Sequence, residues 1–390
     1  MTNLSEQLEE EQEMEAVLFD AIDKFLEKDV KPYVHELEAK DIYPEEIVEK
    51  MKEMGLFGAI IDQKYGGLGL SAATYAKIVY TIAEVWMSLT GIFNSHLIMS
   101  VAVQRFGTEE QKNKYLPKFA SGEIRGGLAL TEPGCGTDLQ AVRTVAVRDG
   151  DDYVINGAKT WISNGIHGQC FALLVKTDPE INPRHKGMSL FIAEKTEGFR
   201  VGKKLEKLGY KGIDSAELFF DDYRIPAANL VAGVEGKGLQ HALGGLALGR
   251  INVAARGVGV ANAALKDALA YSQQRETFGT PICNHQSIQI YLADMATRVE
   301  AAKLLVNSAA VAFDKGERCD MEAGMAKLFA TEAAMKNSQE AMRVHGGYGY
   351  SKELNVERYY RDAPLLTIGE GTNELQRIII ARQLVEQNPI

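Results

Sequence analysis

Apolar residues recur at helical spacing from residue 12 to about 125, as in Phe19, Ile22, Leu26 and Val30 and again in Ile47, Met51 and Met54. The spacing predicts a helical region. KYGGLGLS and FGTEEQKNKYLP break the period with Gly and polar clusters and read as loops or helix starts, and GIFNSHLIMSVAVQRF between them reads as a buried helix. From about 127 to 236 the texture changes to short runs rich in Val, Ile, Leu, Phe and Tyr, such as YVINGAKTWISNG, FALLVKT, MSLFIAE and SAELFFDDYRIP. Strands of that length, evenly separated by turn residues, predict a small barrel or sandwich. After GVEGKGL the helical period returns, most plainly at Ile288, Leu292, Met295, Val299, Ala302, Val306, Ala309 and Phe313. Steps that alternate between four and three are the seam of a long helix in an antiparallel bundle. Further helices are expected over about 249–274, 321–344 and 373–386. The order helix, strand, helix gives an α+β, mostly α fold class with three units: a helical one over 1–126, a β-barrel-like one over 127–236 and a four-helix bundle over 237–390.

At 390 residues the chain is too long for one core, and its apolar and charged fractions are those of an ordinary folded protein. A net charge of −10 argues against nucleic acid as a partner. Cys135, Cys170, Cys283 and Cys319 are widely spaced with no CxxC pair, so neither a metal site nor a disulfide framework is expected, and a reducing compartment fits. The acidic start MTNLSEQLEEEQEMEA lacks the features of a secretion or transit signal, and no uninterrupted apolar run reaches membrane-spanning length. A cytoplasmic protein without stable membrane insertion is expected, or a mitochondrial matrix protein whose transit peptide has been removed.

Five segments could carry chemistry. GGLALTEPGCGTD (126–138) is a strand and a Gly-rich turn whose backbone N–H groups and hydroxyls could meet an anion or a flat ring, although a plain turn between strands accounts for it as well. KTWISNG (159–165) places Trp161 and Ser163 two apart, hence on one face of a strand; alone, Trp161 reads as a core residue. RETFGTPICNHQ (275–286) is a polar break that could hold phosphate or adenine through Arg275 and Phe278, or serve as an inter-helix loop. In VHGGYGY (344–350), Gly346 or Gly347 can supply a left-handed helix cap, and His345 alone reads as a packed histidine. In IGEGTNELQRIIIARQL, Glu370 sits between Gly369 and Gly371 just ahead of a helix capped by Thr372 or Asn373. An acid there suits the helix dipole, but glycines on both sides also let a substrate approach, and desolvation would make the carboxylate a useful base.

ALTEPGCGTD, KTWISNG, the R-x-T-F-G loop, HGGYGY and EGTNELQR stand in the order and approximate spacing of the acyl-CoA dehydrogenase family, which the chain resembles over essentially its whole length. The resemblance implies a β-barrel between two helical domains, FAD as cofactor and a homotetramer built as a dimer of dimers. It implies oxidation of an acyl-CoA to a trans-2-enoyl-CoA, with electrons passed to an electron-transfer flavoprotein. Leu130, Thr131, Thr137, Trp161 and Ser163 match positions around the flavin ring and pyrophosphate, and Thr372 and Glu374 match further flavin contacts. Arg275, Thr277, Phe278, Gln286, Gly346 and Gly347 match positions that reach the ADP half, several of them across a subunit interface. Arg343 stands where a Gln usually opens that segment and would add charge against phosphate. Glu370 matches the catalytic base. Members that carry the base on a bundle helix place it where this chain has Gly249, which leaves Glu370. Arg250 resembles an arginine near the active site, with a structural ion pair as the other reading. Gly369 replaces the Tyr of many straight-chain enzymes, so a branched or cyclic acyl group is expected beside Gly369 and Gly371. Leu89 falls where glutaryl-CoA dehydrogenases have an Arg, which disfavours a dicarboxylic substrate. A relative acting as enoyl-CoA reductase or oxidase, a non-catalytic flavin-binding scaffold and a lipid-binding module without flavin are the alternatives.

Overall fold

The change of texture along the chain is also a change of secondary structure in the computed structural model, which describes residues 4–390. Helices come first: α1 (Leu4–Phe25), α2 (Lys31–Ala39), α3 (Glu45–Glu53), α4 (Ala72–Phe106) and α5 (Glu109–Ala120). Their ends are written in the sequence. Ser71 caps α4 by accepting from the Thr74 N–H, and Thr108 and Gln111 form a reciprocal capping box at α5.

Helix α4 is broken at Trp86 (φ −153°, ψ 101°), so its segments 72–85 and 87–106 fold against each other. Tyr75 from the first packs edge-on against Phe93 of the second. By length and composition α4 could cross a membrane, the one such helix among the described residues, yet 89% of its most apolar window is buried inside the protein. Its apolar surface belongs to the core.

The middle of the chain forms β1 (Gly126–Ala129), β2 (Val145–Asp149), β3 (Asp152–Ser163), β4 (Cys170–Lys176), β5 (Met188–Glu194), β6 (Phe199–Lys204) and β7 (Ser215–Pro226). β4 pairs with β5 on one side and with β1, in parallel, on the other, while β2 meets it at one position and leads through β3 and β7 to β6. The sheet curls around an aromatic core of Tyr153, Phe171, Phe191, Phe220 and Tyr223, with β5 and β6 as its edges. Gly126 is needed where β1 meets β4, since a Cβ there would stand 1.4 Å from the Cys170 carbonyl oxygen.

The last part holds α6 (Gly238–Gln274), a small hairpin of β8 (Glu276–Thr277) and β9 (Thr280–Pro281), then α7 (Gln286–Asp314), α8 (Asp320–His345), α9 (Val356–Ile368) and α10 (Asn373–Gln387). The expected seam of α7 is buried at Met295, Val299, Ala302, Val306 and Ala309, with Ile288, Leu292 and Phe313 packed at its margins. Helix α6 starts well before the expected 249, because its Gly-rich first turns pack on α4: a Cβ on Gly245 would lie 2.8 Å from the Ile98 carbonyl oxygen. Helix α9, with Pro364 inside it, was not among the expected elements. The polar break at 275–286 is the β8–β9 hairpin, turning on Phe278 (φ 51°) and Gly279 (φ 77°).

Candidate active site

Glu370 occupies the turn between α9 and α10. Helix α9 ends at Gly369, Glu370 takes a left-handed φ of 56° and Gly371 one of 86°, and Thr372 then caps α10 by accepting from the Leu375 N–H at 3.3 Å. A left-handed non-glycine residue costs about 1–2 kcal/mol, so the turn must be held from outside. Lys327 of α8 does this, its Nζ donating to the Gly371 carbonyl at 2.8 Å, to Asn373 Oδ1 at 2.9 Å and to the Thr367 carbonyl at 3.3 Å.

Held so, the carboxylate lies against Gly249 of α6. A Cβ at position 249 would stand 2.8 Å from Glu370 Oε2 and 2.8 Å from Ile98 Cδ1. A second side chain and this carboxylate exclude each other there. Glu370 keeps an opening to solvent, but the protein around it desolvates the carboxyl and pushes its pKa above the usual range, while Arg256, then Arg250, then Lys327 pull it back. Those influences include no hydrogen bond from a described residue. Burial in turn lowers the Lys327 ammonium to about 8, against the pull of Glu370 and Glu374. Burial thus disfavours the charged form of both groups, and a carboxyl raised in this way has the character of a general base. The Glu370 N–H is unpaired among the described residues and remains available to an acceptor.

Gly369 is not imposed by packing, since a Cβ there would meet the Leu365 carbonyl oxygen at an ordinary 3.4 Å. The space beside Glu370 on that side is open to a side chain. Arg250 forms the expected ion pair, with Asp320 at 3.0 Å, and it also adds to the field at Glu370, while its Nε is buried without a partner among the described residues.

Two further groups of predicted residues lie elsewhere. Leu130 and Thr131 follow β1, alongside the end of β3 that carries Trp161 and Ser163; the Thr160 N–H donates to the Thr131 carbonyl at 2.9 Å. A buried pair, Lys159 Nζ to Glu132 Oε1 at 2.8 Å, clamps this wall, with Lys159 also donating to the Leu130 carbonyl. Simple strand alternation fails at Trp161, where a register shift between Lys159 and Ile162 and a φ of 60° turn the indole outward, 58% exposed. It is no core tryptophan. Thr131, Thr137 and Ser163 keep their hydroxyls free of partners among the described residues. An exposed indole beside three unused hydroxyls fits a flat, polar-edged ring.

The other group lines a wide cleft at the far end of α8, where Arg275, Thr277, Phe278, Gly346 and Gly347 come together. Gly346 has φ 60° but ψ −134°, so it ends α8 outside the left-handed helical cap that was expected. His345 is packed as expected, stacked on Tyr271 and bonded through Nδ1 to the Ala341 carbonyl. Gln286 opens α7 outside the lining of this cleft, and Arg343 also lies off it with its guanidinium over the Tyr291 ring at 5.0 Å.

Sequence reasoning passed over Lys327 and Asn164. Lys327 had one signal, a lysine among Ala323, Ala326 and Ala330 on a helix face otherwise fit only for burial. Asn164 (φ 60°) donates to the Ile92 and Gly126 carbonyls and so ties the β3 wall to α4.

Three family models match in chain order: the acyl-CoA dehydrogenase N-terminal domain over residues 9–123, its middle domain over 127–223 and its C-terminal domain over 236–385. An acyl-CoA dehydrogenase of Bacillus subtilis is 42% identical over 93% of this chain and 95% of its own length. Acryloyl-CoA reductase (NADH) of Anaerotignum propionicum is 40% identical over 93% and 92%. The solved structure of butyryl-CoA dehydrogenase from Megasphaera elsdenii aligns with a TM-score of 0.92 at 37% identity, covering 95% of this chain and 98% of that one.

Proposed function

The chain belongs to the acyl-CoA dehydrogenase family, and on that premise we propose that it oxidises an acyl-CoA thioester to the trans-2-enoyl-CoA with Glu370 as the base. The observation that carries this reading is the desolvated carboxylate of Glu370, held against Gly249 with its own N–H free. The enzyme is an FAD-dependent oxidoreductase acting on CH–CH groups. Bound FAD supplies what no side chain here can, an acceptor for the hydride that leaves the β-carbon. The free hydroxyls of Thr131, Thr137 and Ser163 and the outward indole of Trp161 are the groups that would hold its ring, and the Arg275–Phe278 hairpin with Gly346 and Gly347 would hold its ADP half.

The work left to the chain is proton transfer and charge. A thioester carbonyl acidifies its α-carbon, and the Glu370 N–H can donate a hydrogen bond to that carbonyl oxygen, stabilising the enolate-like charge as the α-proton moves to the carboxylate. The proton ends on Glu370 and the electron pair of the C–H bond forms the new double bond as the hydride departs from the β-carbon. Arg250 and Arg256 favour the ionised base before the step and Lys327 keeps the turn closed. Gly369 leaves room for a branched or cyclic acyl group.

Lys327 and His345 are about 27 Å apart at 1.5 Å per residue of α8, so the ADP-binding cleft is far from the same chain's base. That separation supports a cofactor shared between subunits; the resemblance further leads us to propose a homotetramer and an electron-transfer flavoprotein as the electron acceptor. We divide the chain into units at 126/127 and 236/237, and place it in the cytoplasm of a bacterium, as its bacterial relatives suggest. The acryloyl-CoA reductase relative favours a second reading, in which the same residues run the reaction toward the saturated thioester.

Anaerobic titration of the purified yellow protein with a panel of acyl-CoA thioesters, followed at the flavin absorbance, tests the main reading. Bleaching is expected with the protein as isolated. Glu370→Gln is expected to keep the flavin and bind thioester, with bleaching slowed by at least about 10²-fold. Bleaching at an undiminished rate in that variant would sink the assignment.

A further inference from the structure

A thioester whose α-carbon meets Glu370 must lay the rest of its acyl group along the helices beside that carboxylate, α4 and α6. On α6 the positions three and seven beyond Gly249 are Asn252 and Arg256; on α4 the positions four and seven before Ile98 are Asn94 and Gly91. Helical periodicity sets each series on one face. For a hydrocarbon chain this seam should be apolar. It is polar instead, and buried: Asn94 and Asn252 are wholly enclosed, as is Tyr75, and Arg256 is 4% exposed.

These groups are joined to one another. Tyr75 donates to Asn94 Oδ1 at 3.2 Å, Asn252 Nδ2 donates to the Tyr75 hydroxyl at 2.7 Å, and Arg256 donates from Nε to Asn252 Oδ1 at 2.6 Å and from Nη1 to the Tyr210 hydroxyl at 2.9 Å. Tyr210 closes the far side, its phenol so near α4 that a Cβ on Gly91 would stand 1.5 Å from the hydroxyl oxygen. Two capacities are left over. Asn94 Nδ2 is buried with no partner at all. The Arg256 guanidinium has no carboxylate within ion-pair distance among the described residues, and of the charges acting on Glu370 it is the strongest. A dry interior penalises the orphaned Asn94 donor, and the guanidinium beside it is bonded only to neutral groups and answered by Glu370 at longer range, so both favour an acceptor at this end that the chain itself does not place there.

We propose that Asn94, Tyr75, Asn252, Tyr210 and Arg256 form a cup at the end of a short acyl pocket, and that the cup selects acyl groups bearing an oxygen acceptor at their far end. The proposal rests on the reading of Glu370 as the base and names the substrate class of that site. The arginine missing at Leu89 is replaced in effect by one from α6, which reverses the expectation drawn from Leu89.

The test uses matched thioesters in which a terminal methyl becomes a carboxylate or gains a hydroxyl: butyryl-CoA against succinyl-CoA, pentanoyl-CoA against glutaryl-CoA and hexanoyl-CoA against adipyl-CoA, with the terminally hydroxylated counterparts. Binding to the Glu370→Gln holoenzyme is measured by calorimetry, so that no turnover intervenes. At least one oxygen-bearing member is expected to bind tenfold or more tightly than its methyl partner. Arg256→Leu should abolish a carboxylate preference, and Asn94→Leu, nearly equal in size and free of charge, should weaken a hydroxyl preference; flavin content and melting temperature report whether each variant is folded. Tighter binding of the methyl member in every pair overturns the proposal, as does an oxygen preference that both folded variants leave unchanged. Failure of the base reading is seen separately, as thioesters that bind the unmutated enzyme but never bleach its flavin.

Discussion

A carboxylate acts as a base only in its ionised form, so the environment of Glu370 sets the acid limb of the reaction. Burial raises its pKa above 4.5, which means that kcat/KM should rise with pH through an inflection above that value. Lys327 is depressed to about 8 and is neutral above it, where its grip on the Gly371 carbonyl loses charge, so an alkaline limb is expected near there. Lys327→Met should remove that limb and lower kcat/KM by roughly 10- to 100-fold, the scale of a lost hydrogen bond to a charged group. A pH–rate profile of both proteins checks this, and an alkaline limb that survives in the variant would assign it to another group. Glu370 could be read from sequence because glycine on both sides and a helix cap after it form a local signature. Lys327 could not, since its partners are carbonyls of a turn 40 to 46 residues away and no local pattern encodes them.

Helices α4 and α6 place the base as much as its own turn does. The carboxylate fills the space that a side chain at Gly249 would take, so the two positions are alternative supports for one functional group. Glu370→Gly alone should be inactive, and adding Gly249→Glu should restore at least about 10-fold in rate, a part of the general-base contribution. Stopped-flow flavin reduction measures both. No recovery would mean that direction of approach, not location, governs the proton transfer. Legibility at this scale followed regularity. The seam of α7 announced itself, whereas glycines in the first turns of α6 and Pro364 in α9 hid helices that tertiary packing enforces. The break at Trp86 left no mark in the sequence, because the loop carrying Tyr210 and Gly212 fills the bend: a Cβ on Gly212 would lie 2.3 Å from the Trp86 ring.

The molecule as a whole presents the Glu370 turn, held by Lys327, toward one end of α8 and an aromatic hairpin at the other, with Phe278 99% exposed at the hairpin tip. A phenylalanine so displayed meets only the edge of the His285 ring within the described chain, at 6.0 Å between centroids, and leaves the rest of its surface uncovered, as the proposed sharing of a cofactor between subunits requires. Phe278→Asp should therefore lower the mass seen by analytical ultracentrifugation and reduce bound flavin by about 10-fold, for a loss of more than about 1 kcal/mol at one anchor. Full flavin content in a dissociated protein would separate assembly from cofactor binding. The order of helical and β regions was plain in the sequence, but the length of α8 that separates the Glu370 turn from the Gly346–Gly347 cleft was not, since motif order says nothing of distance. The left-handed backbone at Glu370 has a consequence for descent. Glycine would adopt that conformation without strain and would bury no carboxylate, so selection for folding alone would drive the residue out. A lineage that no longer needed the reaction would be expected to lose this glutamate early.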